Sequence, residues 1–320
     1  MNLKSLEYFK ELTEDMNMTK TAVRLFISQQ TLSNHILRLE EYYKVKLFER
    51  HPALKLTEAG LALLRFADTV LQEDKSVRDV FSDMQNYRKG VIKFGASPLR
   101  ASECLPGILT EFAQMYPEVE LKIINNNSEQ LQIQAIKGEL DVALCLLNDP
   151  PSSLFTEHMI HDPVYLCVPE ALLNIYYPNE KDSLKQRAIE RCDVSDFKKL
   201  PYFLYSDNNR LGQIASKCFE EADFVPRVYL NAKYIALADA VLVSGVAAAF
   251  LSASGIRLGI GEKPESINLF PLSYKGDFVY QDLYLVRNRK KYQPQYVKDF
   301  VALLKKYFIN RDDDNIAQLV

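Results

Sequence analysis

Apolar positions along the 320-residue chain change period near Gly90, from helical spacing to short apolar runs set between helices. Leu3, Leu6, Phe9 and Leu12 predict an amphipathic first helix. From Met18 to Phe48 the pattern predicts two short helices joined by a tight turn, with Ala22 and Leu25 inward on the first. Leu32, Ile36 and Leu39 form the apolar stripe of the second, and Ser28 stands where a capping hydroxyl would accept an orphan N–H. Lys46 to Leu56 reads as a short hairpin. Thr57 then reads as the cap of a long helix reaching about Lys89, with Glu58 favourably placed in its first turn. The seam of that helix runs Leu63, Phe66, Val70, Glu73, Val77, Val80, Met84 and Tyr87, flanked by charged faces. Such a seam suits pairing with a second copy of the chain, the plainer alternative being a helix packed on its own domain.

Beyond Gly90 strands and helices alternate. Val91–Gly95 and Val119–Ile124 read as strands around a helix carrying Leu105, Ile108, Leu109 and Phe112. Ser128 is the expected cap of the next helix, with Leu131, Ile133 and Ile136, and Asp141–Leu147 is an apolar third strand. This alternation predicts an α/β domain built on a parallel sheet with helices on both faces. Within the charged stretch 170–199, Asp182–Cys192 reads as an extra surface helix without a function. Val241–Ser254 reads as a strand packed tightly under a helix.

The polar positions of the second motif helix carry the first functional signal. Gln29, Gln30, Thr31, Ser33, Asn34, His35 and Arg38 lie off its apolar stripe and crowd its N-terminal end. A helix laid in the DNA major groove presents that end to base edges, where amides pair with adenine. Lys20 and Arg38 would reach phosphates. The bland alternative is a helical hairpin whose polar face is only solvated.

Charge fits the DNA reading without proving it. The formal net charge is −3, which argues against indiscriminate polyanion binding. Between Thr19 and Arg65, however, eight basic residues face four acidic ones, a local basic footprint. The first residues lack a signal-peptide layout, and no apolar run is long enough to span a bilayer, so a cytoplasmic protein without membrane partners is expected. Cys104, Cys145, Cys167, Cys192 and Cys218 form no CxxC pair and are expected to pack as small hydrophobes.

Catalytic chemistry finds no footing. There is no GxGxxG or GxxxxGKS loop, and the four histidines are His35, His51, His158 and His161. The last two have a spacing that suits a metal pair, but a surface turn is the plainer reading, and no metal or other cofactor is expected.

The segments Asn2–Phe9, Thr19–Ala22, Ile27–Ser33, Leu37–Glu40, Leu47–Arg50 and Leu56–Gly60, in this order and spacing, closely resemble the N-terminal domain of LysR-type transcriptional regulators. Gly95, Leu105-Pro106, Phe112, Tyr116-Pro117, Ser128, Gly138–Asp141, Leu200–Tyr205, Asn209-Arg210 and Ser244-Gly245 extend the resemblance into the second half. It implies a winged helix-turn-helix over residues 1–58, a dimerisation helix over 59–89 and an effector-binding domain over 90–320. That domain would comprise two α/β subdomains of periplasmic-binding-protein type, one over 91–163 and 270–320 and the other over 164–269, linked by two crossover strands. The wing departs from the family pattern. It is one residue shorter and lacks the central arginine, leaving Arg50, His51 and Lys55 as its basic candidates. Cys192 and Cys218 lie where some relatives carry a redox pair, but their spacing does not suit one.

The expected DNA contacts are thus Lys20, Ser28, Gln29, Gln30, Thr31, Ser33, Asn34, Arg38 and Arg50. The expected dimer contacts are Leu63, Phe66, Val70, Val77, Val80 and Met84. Ligands of open α/β sheets gather beyond the carboxyl ends of strands, near helix N-termini. The resemblance points to the same loops, giving Ser97, Leu99, Arg100, Ser102, Asn127, Ser128 and Leu147, faced by Phe203, Tyr205 and Ser206. Arg100 would meet an anionic group on the effector. The expected partners are double-stranded promoter DNA, a small-molecule effector, further copies in a homodimer or homotetramer, and RNA polymerase. Rival readings are a solute-binding protein or enzyme on the same scaffold, which would leave residues 1–89 without a purpose, and a regulator with no effector.

Overall fold

A computed structural model describes residues 2–49, 53–84, 89–206, 209–233, 235–259 and 266–312 of the chain. It divides into two compact units, Met1–Tyr87 and Arg88–Val320.

In the first unit α1 (Leu3–Asp15) is capped by Asn2, whose side chain accepts from the Ser5 N–H. Its Leu6, Phe9 and Leu12 are fully buried. Helices α2 (Met18–Arg24) and α3 (Gln29–Tyr43) pack on it, contributing Ala22, Leu32, Ile36 and Leu39 to one core. The turn between them passes through Phe26, at a left-handed φ of 54°. The hairpin is β1 (Phe48–Glu49) paired antiparallel with β2 (Lys55–Leu56). Arg50 and His51 lie outside the described residues.

Helix α4 (Glu58–Met84) begins under Thr57, whose hydroxyl accepts from the Gly60 N–H at 3.0 Å, as its position predicts. Gly60 is needed for a close approach, because a Cβ there would stand 2.3 Å from the Leu47 carbonyl oxygen. The first half of α4 belongs to the DNA-binding unit. Leu63 and Ala67 are buried in its core, Val70 packs against that core, and Lys10 pairs with Asp68 at 2.6 Å. Leu63 is therefore an intramolecular core residue, a correction to its expected place in a dimer seam, while Val70 is only half-covered by the same core.

The second unit opens with β3 (Lys89–Ala96), α5 (Pro98–Met115), β4 (Glu118–Asn125), α6 (Ser128–Ile136) and β5 (Val142–Leu146). Strands β3, β4 and β5 are parallel. The long crossover β6 (Leu154–Pro169) leads into α7 (Glu170–Tyr176), α8 (Lys181–Glu190), β7 (Pro201–Tyr205), α9 (Arg210–Glu221), β8 (Arg227–Ala232), α10 (Ile235–Val243), β9 (Ala249–Ser252) and α11 (Ala253–Gly259). The chain returns through β10 (Ile267–Pro271), the hairpin β11 (Ser273–Tyr274) and β12 (Asp277–Phe278), the second crossover β13 (Tyr280–Asn288) and α12 (Gln295–Asp312).

The main sheet runs β10-β6-β13-β5-β3-β4, with β9 also on β6. It is mixed, not parallel throughout, because β13 lies antiparallel to both β5 and β6. Two crossing strands that carry the chain out and back must oppose each other, which sequence alternation alone does not reveal. The cores divide accordingly. Phe94, Ile108, Phe112, Leu283 and Phe300 pack on one face of the first subdomain's sheet, and Leu131, Ala143 and Val286 on the other. A separate core gathers Leu166, Phe197, Tyr202, Phe250 and Leu272. Phe270 and Leu272, placed by sequence in the first subdomain, pack in the second. The helix read at Asp182–Cys192 exists as α8, anchored by buried Leu184 and Ala188. The run Val241–Ser254 is the end of α10, then β9, then the start of α11, not one strand.

Candidate nucleic-acid interface and effector site

The N-terminal half of α3 presents Gln29, Gln30, Thr31 and Asn34 as exposed side chains, with Ser33 half-buried and Arg38 exposed further along. Ser28 caps the helix, accepting from the Thr31 N–H at 3.0 Å, and its hydroxyl also meets that of Thr31 at 2.8 Å. Its lone pair therefore holds the helix end while the neighbouring amides remain outward. His35 is turned away from this face. Its Nδ1 lies 2.8 Å from the Ser5 hydroxyl, the Tyr8 ring meets it edge-on, and burial, then Arg38 and Lys4, lower its proton affinity. Lys20 pairs with Asp15 at 2.9 Å, and Arg24 binds Glu11 and Asp15. Lys20, and then Arg24, hold Asp15 down to about 2. The expected phosphate contact Lys20 thus already has a carboxylate partner, although its side chain stays exposed.

Glu40, which the sequence offers only as the end of the segment Leu37–Glu40, fixes the start of the wing. It is buried on α3, accepts from the Leu47 N–H at 2.9 Å and pairs with Lys46 at 3.1 Å. A glutamate followed six residues later by a lysine carries no signal until the chain bends back.

In the second unit the loops after β3, β4 and β5 converge as expected. Ser97 caps α5, accepting from the Arg100 N–H at 3.3 Å, with Leu99 half-buried and Ser102 exposed. The cap of α6 is Asn127, one residue before the expected Ser128. Ser128 instead accepts from the Leu146 N–H at 2.9 Å, fixing α6 to the end of β5. Leu147 is buried, and Asn148 just beyond it accepts from Arg210 at the start of α9. Loops of the two subdomains therefore meet at the carboxyl end of β5.

Three expected effector contacts are corrected. Arg100 is only 2% exposed, donating to Glu103 at 2.8 Å and also to Asp162 and Ser254. Asp162 accepts in turn from the Ser254 N–H at 3.0 Å and hydroxyl at 2.7 Å. This network ties α5, the crossover β6 and α11 together, so the guanidinium is committed to the joint between subdomains. Phe203 is fully buried in the second core, edge-on to Tyr205. Tyr205 is also buried, and its hydroxyl has no hydrogen-bond partner among the described residues. Ser206 is half-buried.

Burial, and then the charge of Asp239, hold the Tyr205 phenol well above its ordinary range. Asp239 on α10 lies over Gly259, where an added Cβ would fall 2.0 Å from its Oδ2. Its Oδ1 is buried without a partner among the described residues, and burial pushes the carboxyl up to about 6. The folded state therefore holds this proton more tightly than the unfolded chain does. The resulting penalty develops between the two values and is complete above the folded one. Asp239→Asn is expected to stabilise the second unit by about 1–3 kcal/mol at roughly pH 7.5 and hardly at all near pH 4, as read from urea unfolding at both pH values.

All five cysteines are buried free thiols. Burial pushes Cys104, Cys145 and Cys218 up to about 12, Cys167 higher still and Cys192 well above the ordinary thiol range, so they pack as protonated small groups.

Residues 3–61 match the bacterial regulatory helix-turn-helix protein, lysR family, and residues 85–309 match the LysR substrate binding domain. The HTH-type transcriptional regulator YcgK of Bacillus subtilis is 24% identical over 257 residues, covering 77% of this chain and 78% of its own. The DNA-binding transcriptional dual regulator OxyR of Escherichia coli is 30% identical over 171 residues, covering 53% and 56%. Full-length OxyR from Pseudomonas aeruginosa superposes with a TM-score of 0.67 at 19% identity, covering 95% of this chain and 98% of its own. Full-length CbnR complexed with its target DNA gives 0.60 at 19% identity, covering 96% and 100%. The chain belongs to the LysR family, as a DNA-binding transcriptional regulator with a helix-turn-helix domain and an effector-binding domain.

Proposed function

We propose that the exposed N-terminal half of α3, with Gln29, Gln30, Thr31, Ser33 and Asn34, reads the bases of double-stranded promoter DNA while Arg38 holds phosphate. The observation that carries this reading is the outward row of amides on a capped helix whose other face is core. The related CbnR, solved in complex with its target DNA, supports the same use of the fold. A small-molecule effector then binds where the loops after β3, β4, β5 and β7 meet. Ser97, Ser102, Asn127, Ser128 and Ser206 supply polar groups there, and Leu99 and Leu147 apolar cover. Without Arg100 in reach, an anionic effector would rest on hydroxyls and helix N–H groups.

The protein acts by binding and not by catalysis, in the cytoplasm, as a homodimer joined through α4 that assembles further into a tetramer and addresses RNA polymerase. Among the described residues no helix is long and apolar enough to cross a membrane.

Gln30→Ala and Asn34→Ala are each expected to cost about 1–3 kcal/mol at the cognate site and far less on random DNA. Mobility shifts on both duplexes at one salt concentration check this. Equal losses on the two would remove base reading from these residues.

A further inference from the structure

We propose that His158, His161 and Asp282 form a binding site for a divalent transition-metal ion of the zinc class. The two histidines are not in a turn but on the crossover strand β6, and Asp282 is on its neighbour β13. Residues three apart on a regular strand point to opposite faces. A register shift removes that obstacle. His161 pairs with Asp282, Ile160 with Leu283 and His158 with Tyr284, leaving Met159 as the extra residue of a β-bulge. Asp282 and Tyr284 share a face, and so therefore do their partners His161 and His158.

The donor atoms already converge. One ligand atom from each of the three residues lies within 4.8 Å of the others. His161 Nδ1 is 2.5 Å from Asp282 Oδ1, and His158 Nε2 is 3.5 Å from the same oxygen. Ligand atoms around a tetrahedral zinc ion are about 3.4 Å apart, so small side-chain rotations suffice to seat an ion. Asp282 Oδ1 is buried yet lacks a properly directed hydrogen bond, despite the nearby imidazole nitrogens. A cation between the three groups would satisfy that oxygen. Two imidazoles and one carboxylate are the donor set of borderline divalent ions, and they leave a coordination position for water or an exogenous ligand. Tyr284 stands edge-on to His158 at 5.2 Å and Tyr280 to His161 at 6.1 Å, limiting the rings' rotation.

The site's place in the fold gives the ion leverage. It bridges the two crossover strands, and the Asp282 carbonyl accepts from the Leu147 N–H at 3.2 Å, at the carboxyl end of β5. An ion here fixes β6 to β13 beside the loops where the two subdomains meet.

The test uses the full chain without an affinity tag, stripped with chelator and titrated with zinc by calorimetry, and with cobalt by absorbance. The expected result is one ion per chain and a melting temperature that rises with zinc. His158→Ala, His161→Ala and Asp282→Asn should each weaken binding beyond the roughly 10–100-fold that loss of an outer-sphere partner costs. The same variants should keep the metal-free melting profile of the parent, showing that the fold survives. Cobalt should give ligand-field bands without intense sulfur-to-metal charge transfer. Unaltered binding in the two histidine variants, a strong thiolate band, or no binding in the micromolar range would each overturn the proposal.

Discussion

Replacing Arg100 by methionine is expected to destabilise the second unit by about 3–5 kcal/mol. The guanidinium is buried between Glu103 and Asp162, which are themselves buried. Removing it leaves two buried carboxylates without their shared cation in a low-dielectric joint, and a methionine of similar length offers neither charge nor donor. The cost would appear as a lower urea midpoint with an unchanged slope, since the surface exposed on unfolding stays the same. A substitution at an exposed effector contact would stay within about 0.5 kcal/mol of the parent. The two roles are therefore separable. Arg100→Met with parental stability and a lost effector response would restore Arg100 to the ligand site.

Arg100 also shows where the sequence stops being legible. Its position just after a strand, next to the capping Ser97, is the position of a ligand-binding arginine in an open α/β sheet. Glu103 is a local partner one turn further on α5, but Asp162 and Ser254 are 62 and 154 residues away. Only the folded crossover brings them in. Phe203 and Tyr205 failed as contacts for a related reason. A short apolar strand such as PYFLY shows that it is buried but not on which side, and β7 is covered on both.

The recognition helix was legible because its information is local. Spacing fixes which residues of α3 face the core, the cap is three residues from the N–H it satisfies, and exposure of Gln29, Gln30, Thr31 and Asn34 follows. The paired histidines were misread as a turn because a β-bulge belongs to a pair of strands and leaves no mark in either alone. The overall architecture fell between these cases. Alternation gave the α/β class and the parallel start, whereas the two crossover strands came only from the family resemblance and the antiparallel pairing of β13 only from the structure.

Val77→Asp combined with Phe81→Asp is expected to split the proposed α4-joined oligomer without unfolding the chain. Over its first turns α4 spends its apolar residues on the unit's own core, at Leu63, Ala67 and Val70. Further along, the chain itself leaves Val77, Phe81 and Met84 uncovered, with 48%, 57% and 75% of their surface exposed. Phe66 is likewise 43% exposed. From Val77 onward the spacings of four and three follow one face of the helix, a long apolar stripe that a monomer has no reason to keep wet. Phe81 was not in the seam read from sequence, and it replaces the more sheltered Val80 as the residue to test. In a two-fold pairing each substitution acts twice, once from each chain. Four carboxylates forced into an apolar seam should raise the dissociation constant by more than about a thousandfold, or roughly 4 kcal/mol. Sedimentation velocity at micromolar concentration should then show a smaller species whose circular dichroism and melting of the second unit match the parent. Leu63→Asp provides the contrast, because it places charge in the helix-turn-helix core and should unfold the first unit. If the Val77/Phe81 variant still sediments as the native oligomer, the exposed stripe of α4 is not the surface that holds the copies together.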